Sequence, residues 1–311
     1  MKPITENIFK ALLFAAVAVS LSSCIDEDLS DCPPEERTVS IMYKVEVSQQ
    51  VENDFDATIH DMRFGFWNTP YMLFFEQYIE EKDFPEDNIF EVTLPATDYN
   101  HLVIANGTGG TGGQLPQKLA DVCVLPIGIS SDTVVGLSRA PFVGKLFMSL
   151  EYSEDAFFTV YLKPVVGYVK LDVSYVAGLE NVRCYISGTK AGYNAWDGTW
   201  IDHPSLVTDG NMNVADTGEN QRQFAFYAFP SSHENTKAPV ADGEWKVYFY
   251  ATDKENNEVT QYIFTLYEPL LAGHVFEASF RIGPDEGWTD AEAGVTINTG
   301  WEPGTGYDNE M

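Results

Sequence analysis

The chain has 311 residues, 44% of them hydrophobic, so it is long enough to form two packed domains. Its formal net charge is −29, from 47 acidic and 18 basic residues. A surface of this charge repels phosphate backbones and anionic headgroups, and we therefore exclude nucleic acid as a partner.

The first 23 residues have the pattern of a secretory signal. Lys2 and Lys10 precede the eleven-residue apolar run "ALLFAAVAVSL", which is too short to cross a bilayer as a stable helix. Small residues follow, and the order Leu21-Ser22-Ser23-Cys24 resembles a bacterial lipobox. We therefore predict a lipoprotein signal peptide at 1–23 and a diacylglycerol- and palmitate-modified Cys24. The alternative is an ordinary secretory signal in which the cysteine is coincidental.

Acylation of Cys24 would anchor the chain to a membrane without crossing it, because each buried methylene group contributes about 0.8 kcal/mol. The next residues, "IDEDLSDCPPEE", are acidic and contain proline without an apolar period. This composition predicts an extended tether over 24–36. Of the three remaining cysteines, Cys32, Cys123 and Cys184, two can form one disulfide in an exported protein. Their spacing does not select the pair.

From residue 37 onward the dominant hydrophobic period is two, which indicates half-buried strands. Three stretches alternate most regularly: "SIMYKVEV" with Ile41, Tyr43, Val45 and Val47 on one face, "VKLDVSYV" with Val169, Leu171, Val173 and Tyr175, and "FEASFRI" with Phe276, Ala278, Phe280 and Ile282. Further short runs follow the same rule, and "EWKVYFYATDKENNEVTQYIFTLY" has the form of a hairpin. The segment "YMLFFEQYIEE" fits a helix or two strand pieces.

Strand runs of this length and spacing predict an all-β protein built of antiparallel sandwiches. A break falls at "LKPVVG", where Pro164 and Gly167 separate two halves of similar size. We therefore predict an N-terminal β-sandwich domain at 37–163 and a C-terminal one at 164–311.

A glycine-rich stretch, "GTGGTGG", follows the apolar run "HLVIAN". Gly107, Gly109 and Gly112 have the spacing of a dinucleotide-binding fingerprint, which requires a helix directly after the glycines. Pro116 follows closely, and the next segment is long enough for only one or two helical turns. Gly113 stands where a phosphate-binding loop carries lysine. We predict a loop between strands and no nucleotide cofactor.

No arrangement of residues indicates catalysis or metal binding. The five histidines, which we place at surface or turn positions, lack zinc-ligand spacing: His60, His101, His203, His233 and His274. "GLSRA", at 136–140, comes near a nucleophile elbow but ends in alanine and lacks a strand–turn–helix context. We assign no catalytic, cofactor-binding or metal residue and predict that the chain is not an enzyme.

One stretch, "AGYNAWDGTWIDH", combines flat apolar rings with polar groups, as carbohydrate sites do. Tyr193, Trp196 and Trp200 are its candidate glycan contacts. A sandwich loop whose tryptophans pack on the core uses the same residue types, and both interpretations stay open.

Several segments in order resemble the FimB-type fimbrial anchor and assembly lipoproteins of type V pili. They are the lipobox, "DLSDCP", "YNHLVIANG", "LFMSLEYSEDAFFTVYLKPVVGYVKLDVSYVAGLENVRCYISG" and "VTINTGW". The resemblance spans nearly the whole chain after the signal. It implies two transthyretin-like β-sandwich domains in tandem, exposed on the outer membrane through the lipid anchor, with pilins as partners and a role in cell adhesion.

The resemblance leaves two roles open, the pilus anchor and another accessory assembly subunit. Asp26, Glu27 and Asp28 are similar to the surface-export signals of such lipoproteins. Arg37 is the only candidate for a processing site ahead of the first strand. If it is uncut, the first strand stays in its own sheet, as suits a subunit that starts or ends a polymer. The alternative function is a glycan-binding surface lipoprotein.

Overall fold

The computed structural model describes residues 37–48, 51–68, 72–107, 114–125, 133–150, 155–203, 205–231, 244–255, 257–283 and 296–297. Within these ranges the regular elements are strands and two short 3-10 helices, at Glu81–Asp83 and Leu119–Asp121. The all-β class predicted from the period of two is confirmed.

The first half of the described chain supplies nine strands. They are β1 (Thr38–Val47), β2 (Asp61–Asn68), β3 (Met72–Glu80), β4 (Ile89–Pro95), β5 (Asp98–Ala105), β6 (Cys123–Val124), β7 (Thr133–Val135), β8 (Phe142–Ser149) and β9 (Asp155–Pro164). Seven of them form one sheet in the order β3-β2-β5-β8-β9-β1-β4. β8 and β9 pair over only two residue pairs, so the sheet turns a corner there and its two parts enclose a core.

The second half supplies the remaining strands. They are β10 (Gly167–Tyr175), β11 (Leu179–Ser187), β12 (Gly192–Asn194), β13 (Thr199–Ile201), β14 (Val207–Asp209), β15 (Val214–Gly218), β16 (Gln221–Ala228), β17 (Trp245–Asp253), β18 (Val259–Leu266), β19 (Val275–Ile282) and β20 (Thr296–Ile297). Two five-stranded sheets result, β15-β16-β10-β19-β20 and β18-β17-β11-β14-β7. A third, small sheet has the order β13-β12-β6.

Alternation along the strands sets which side chains are buried. Ile41, Tyr43 and Val45 of β1 are buried, and the strands β10 and β19 bury their predicted faces in the same way. The hairpin predicted near the C-terminus is confirmed as β17 and β18, paired in register from Trp245↔Leu266 to Thr252↔Val259. The described part of the ambiguous segment, residues 72–81, forms strand β3 and the first residue of a 3-10 turn.

Most neighbouring strands are antiparallel, as predicted, but three described pairs are parallel. These are β1 with β9, β10 with β19 and β7 with β14. A strand that buries one face has the same alternation whichever way its neighbour runs. The direction depends on long-range topology, which the local pattern does not contain.

The buried residues form two large clusters. The first takes most of its members from residues 41–166 and also includes Ala195, Tyr227 and Phe229. The second takes its members from residues 169–282. Residues from Val39 onward belong to one compact unit. The division into sandwich domains at 37–163 and 164–311 therefore stays a proposal, supported by the two clusters.

His101 lies in the first cluster, so its predicted surface or turn position is wrong. It is fully buried on β5, and its ring stacks on Phe66 at a centroid distance of 4.1 Å. Nδ1 donates to the carbonyl oxygen of Gly65 at 3.0 Å, while Nε2 has no hydrogen-bond partner among the described residues. Burial lowers the pKa of His101 to about 4, and the bond to Gly65 opposes this shift. The histidine serves as a neutral, core-packing ring.

This burial predicts a pH dependence of stability. The unfolded chain protonates His101 below about pH 6.5, whereas the folded chain resists protonation down to about pH 4. The unfolded state binds more protons between these values, so stability falls as the pH is lowered through this window, by roughly 3 kcal/mol in all. Urea unfolding at pH 7 and pH 4.5 measures it.

The comparison variant is His101→Phe, which keeps a ring and removes the titrating group. Its stability should fall by less than that of the natural chain between the two pH values. His203→Phe, at an exposed position, should follow the natural chain. If the free energy of unfolding fell by the same amount between the two pH values in the natural chain and in His101→Phe, the prediction would be contradicted.

Candidate functional site

Three of the features predicted from the sequence lie outside the described residues. They are Cys24, the tether that follows it and most of the glycine run, residues 108–113. Over the part of the chain that the structure describes, no helix is long and apolar enough to span a membrane.

The segment after the glycine run, from residue 114 onward, is held by hydrogen bonds from side chains of β2 and β3. Both carboxylate oxygens of Glu76 accept the backbone N–H of Leu115 at 3.1 Å, and Arg63 pairs with the same carboxylate. The Trp67 indole donates to the carbonyl of Pro116 at 3.3 Å. Only one 3-10 turn follows before β6, so the helix that a dinucleotide fingerprint needs does not occur there.

The near-match to a nucleophile elbow is followed by strand β8 and not by a helix. Ser138 lies in a bend after β7, and the neighbouring Leu137 bridges to Tyr227.

The structure places no three metal-ligating side chains together within the described residues. Cys123 and Cys184 are free thiols, and burial raises the pKa of both. A raised pKa keeps a thiol protonated and unreactive.

Tyr193 and Trp200, two of the candidate glycan contacts, come together on the β12–β13 hairpin. They are directly paired across it, with ring centroids 4.7 Å apart. β12 also pairs with β6, which attaches the hairpin to the first half of the chain. Both rings are half-buried and pack against the first core cluster. Burial raises the pKa of Tyr193.

Trp196 lies at the turn of the same hairpin. The side-chain oxygen of Asn194 accepts the backbone N–H groups of Trp196 and Asp197, at 3.1 and 2.9 Å, and so closes the turn. Lys145 donates to the carbonyl of Trp196 at 2.7 Å, and its ammonium lies 5.6 Å from the indole centroid. Asn194 and one face of Trp196 are therefore already engaged within the protein.

A different surface combines half-exposed rings with polar side chains. It is the outer face of the sheet β18-β17-β11-β14-β7, opposite the second core cluster. The strand register places three rows across it: Tyr185 beside Tyr248 and Ile263, Arg183 beside Tyr250 and Gln261, and Thr252 beside Val259. We call this surface the tyrosine groove.

The rings of the tyrosine groove are held by contacts with one another. Tyr185 and Tyr250 meet edge to face at 5.5 Å. The Tyr248 hydroxyl lies 3.0 Å from the Ser187 hydroxyl, and Gln261 donates to the Tyr250 hydroxyl at 2.6 Å. These bonds fix the ring orientations while the rings stay half-exposed.

The tyrosine groove lies beside an irregularity in the ladder between β11 and β17. The register shifts between Glu180 and Arg183, and Asn181 has a φ of 52°. An extra residue bends and twists a strand locally. The cavity at this surface measures about 720 Å³, within the usual size range of small-ligand pockets.

Sequence reasoning missed this surface. Tyr248 and Tyr250 alternate with core residues in "WKVYFYATD", and two aromatic residues on a solvent-facing strand side are a signal that was present. Their meeting with Arg183 and Tyr185 depends on the pairing of β11 with β17, which the local pattern does not give.

No protein-family model matches the chain, and no curated protein matches it in sequence. Solved structures do match in fold. A candidate adhesin from Bacteroides ovatus has a TM-score of 0.57 at 10% identity, covering 84% of this chain and 93% of its own. A candidate polysaccharide-binding protein from Bacteroides thetaiotaomicron has a TM-score of 0.56 at 13% identity, covering 85% and 96%.

The fimbrial anchor protein Mfa2 from Porphyromonas gingivalis is similar as well, with a TM-score of 0.52 at 10% identity over 85% of this chain and 98% of its own. The TM-scores establish a shared fold that extends over most of each chain, and at identities this low the likeness establishes the fold alone. The resemblance drawn from the sequence is therefore confirmed at the level of the fold: this chain has the β-sandwich architecture of fimbrial anchor and adhesin proteins.

Proposed function

We propose that the protein is a non-enzymatic outer-membrane surface lipoprotein that anchors fimbriae or assists their assembly and so supports cell adhesion. The observation that carries the proposal is the fold shared with the fimbrial anchor Mfa2 over 85% of the chain. The lipobox ending at Cys24 supports the anchoring, and the acidic residues after it support exposure at the cell surface.

The position of β1 supports a role at one end of a fimbria. β1 lies between β9 and β4 inside its sheet and buries Val39, Ile41, Tyr43 and Val45. Its removal would expose the first core cluster, so the chain completes this sandwich with its own first strand. A subunit of this kind does not need a donated strand there, as suits the first or last position of a polymer.

Edge strands offer a route to the pilin partner. The three larger sheets, as described, end at β3 and β4, at β15 and β20, and at β18 and β7. An edge strand presents unpaired N–H and C=O groups that an extended segment of a partner can satisfy. We propose that the pilin contacts the folded part of the chain. The tail "WEPGTGYDNEM" is acidic and glycine-rich, which makes it a poor strand donor.

Glycan contact by Tyr193, Trp196 and Trp200 stays a prediction from the sequence. The packing of the hairpin against the first core favours its other interpretation, a structural one, because Tyr193, Asn194 and Trp196 already have partners within the protein.

The lipid anchor predicts the behaviour of Cys24→Ser. Acylation is the membrane attachment that the sequence provides, so the variant should leave the membrane fraction with its fold intact. Fractionation followed by immunoblotting measures this, with Cys123→Ser as a control that should stay in the membrane. A Cys24→Ser protein that persists in washed outer membranes would disprove the lipoprotein assignment.

The placement of the pilin contact predicts the effect of deleting residues 302–311. Fimbriae should stay attached, because the coupling contacts lie on the folded strands. The measurement is the fraction of fimbriae shed into the medium at normal protein level, with a strain lacking the whole protein for comparison. Shedding equal to that strain would make the tail the coupling element and would contradict the placement.

The structural interpretation of the hairpin predicts that Trp200→Ala lowers the free energy of unfolding. We expect about 2 kcal/mol, roughly half the loss for a fully buried tryptophan, because the ring is half-buried. Urea unfolding measures it. A Trp196→Ala variant that folds normally but loses binding on a glycan array would instead support the hairpin as a glycan site.

A further inference from the structure

We propose that the tyrosine groove binds a saccharide that carries a carboxylate, with the tyrosine rings contacting the sugar faces and Arg183 pairing with the acid. This inference goes beyond the fimbrial role and does not rest on it, because it concerns a surface that needs no pilin partner.

The rings supply the apolar part of the site. Tyr185, Tyr248 and Tyr250 are half-exposed and fixed by neighbouring contacts, so little conformational entropy is lost when a ligand covers them. The electron-rich face of an aromatic ring attracts the polarised C–H groups of a pyranose. Their hydroxyls, with those of Thr133 and Thr252 at the lining, offer donors and acceptors to sugar hydroxyls.

Arg183 supplies the charge. It is exposed, it lines the groove, and it has no ion pair among the described residues. The carboxylate of Asp209, on the strand beyond Tyr185, is engaged by the backbone and side-chain N–H groups of Asn211 at 2.8 and 2.5 Å. A guanidinium presents two parallel donors that match a carboxylate, and an acidic sugar would complete this arrangement.

A second cation lies one row further along the sheet. Lys246 is half-exposed beside Ser187, two residues before Tyr248 on the same strand. Two residues of a strand span about 7 Å, so Arg183 and Lys246 flank the tyrosine row on either side. In a chain with net charge −29, two cations beside half-exposed rings, neither with an ion pair in the part of the chain that the structure describes, favour an anionic ligand at this place.

The lining argues against an apolar protein segment as the occupant. Three aliphatic side chains lie at the groove, Val207, Val259 and Ile263, among polar ones, which are Asn181, Arg183, Thr252 and Gln261. A hydrophobic peptide would leave these polar groups covered and unpaired, which costs free energy. A saccharide satisfies them with its own hydroxyls.

The test measures binding of the full-length lipoprotein, in detergent, to immobilised oligosaccharides of uronic acids and sialic acid. Each probe is paired with its methyl ester, which keeps the sugar and removes the charge. We expect the natural chain to bind at least one acid more tightly than its ester. Arg183→Gln should weaken binding to that acid about tenfold or more and abolish the preference over the ester.

Matched variants separate charge from packing. Arg281→Gln makes the same change in net charge at an exposed position on β19, outside the groove, and should bind as the natural chain does. Tyr248→Ala should weaken binding to acid and ester alike, and Tyr248→Phe, which keeps the ring, should retain most of it. Thermal unfolding of each variant confirms that it is folded.

Three outcomes would overturn the proposal. One is the absence of binding to every acidic probe, and another is an Arg183→Gln variant that keeps the natural affinity and preference. The third is binding that is lost in Trp196→Ala while the groove variants retain it, which would place the site on the hairpin. The fimbrial role is tested separately, by measuring the fraction of shed fimbriae. Either proposal can therefore be disproved while the other holds.

Discussion

The two hydrophobic cores depend on a close approach of backbones at Gly167. A Cβ atom there would lie 2.5 Å from the carbonyl oxygen of Leu271 and 2.6 Å from a methyl group of Leu270. Val165 and Val166, just before it, are buried in the first core, and Val169 is buried in the second. Two backbone hydrogen bonds hold this passage: the N–H of Gly273 donates to the carbonyl of Val166, and the N–H of Tyr168 donates to the carbonyl of His274. Glycine lets the chain pass from one core to the next without an exposed linker.

The same passage is reinforced from the first half of the chain. The carboxylate of Glu52 contacts the His274 ring at 2.6 Å and accepts the backbone N–H of Val275 at 2.9 Å, and the Glu52 N–H donates to Gly273. Residues more than 200 positions apart are thus joined where β19 begins. β19 in turn pairs with β10, the first strand of the second half. The start of the second core is therefore set by contacts from both halves.

Local alternation was sufficient to predict strands and their buried faces, because the side-chain period of two follows from the backbone alone. It identified the faces of β1, β10 and β19 and the β17–β18 hairpin. It did not predict the parallel pairs, the burial of His101 or the tyrosine groove. Each of these depends on which strands become neighbours: His101 is buried because β5 lies beside β2, and Arg183 meets Tyr250 because β11 lies beside β17. Turn motifs in the sequence predict which strands pair only where the two strands follow one another along the chain.

The parallel pairing of β1 with β9 has a mechanical consequence. Under the anchoring proposed at Cys24, tension on an attached fimbria enters the folded part through β1. The ladder runs over eight residue pairs, from Ser40↔Asp155 to Val47↔Leu162. A pull along the axis of β1 loads its hydrogen bonds together, in shear, whereas a sideways pull would break them one after another. Resistance to force is governed by the unfolding rate. The first strand is thus oriented to hold under traction.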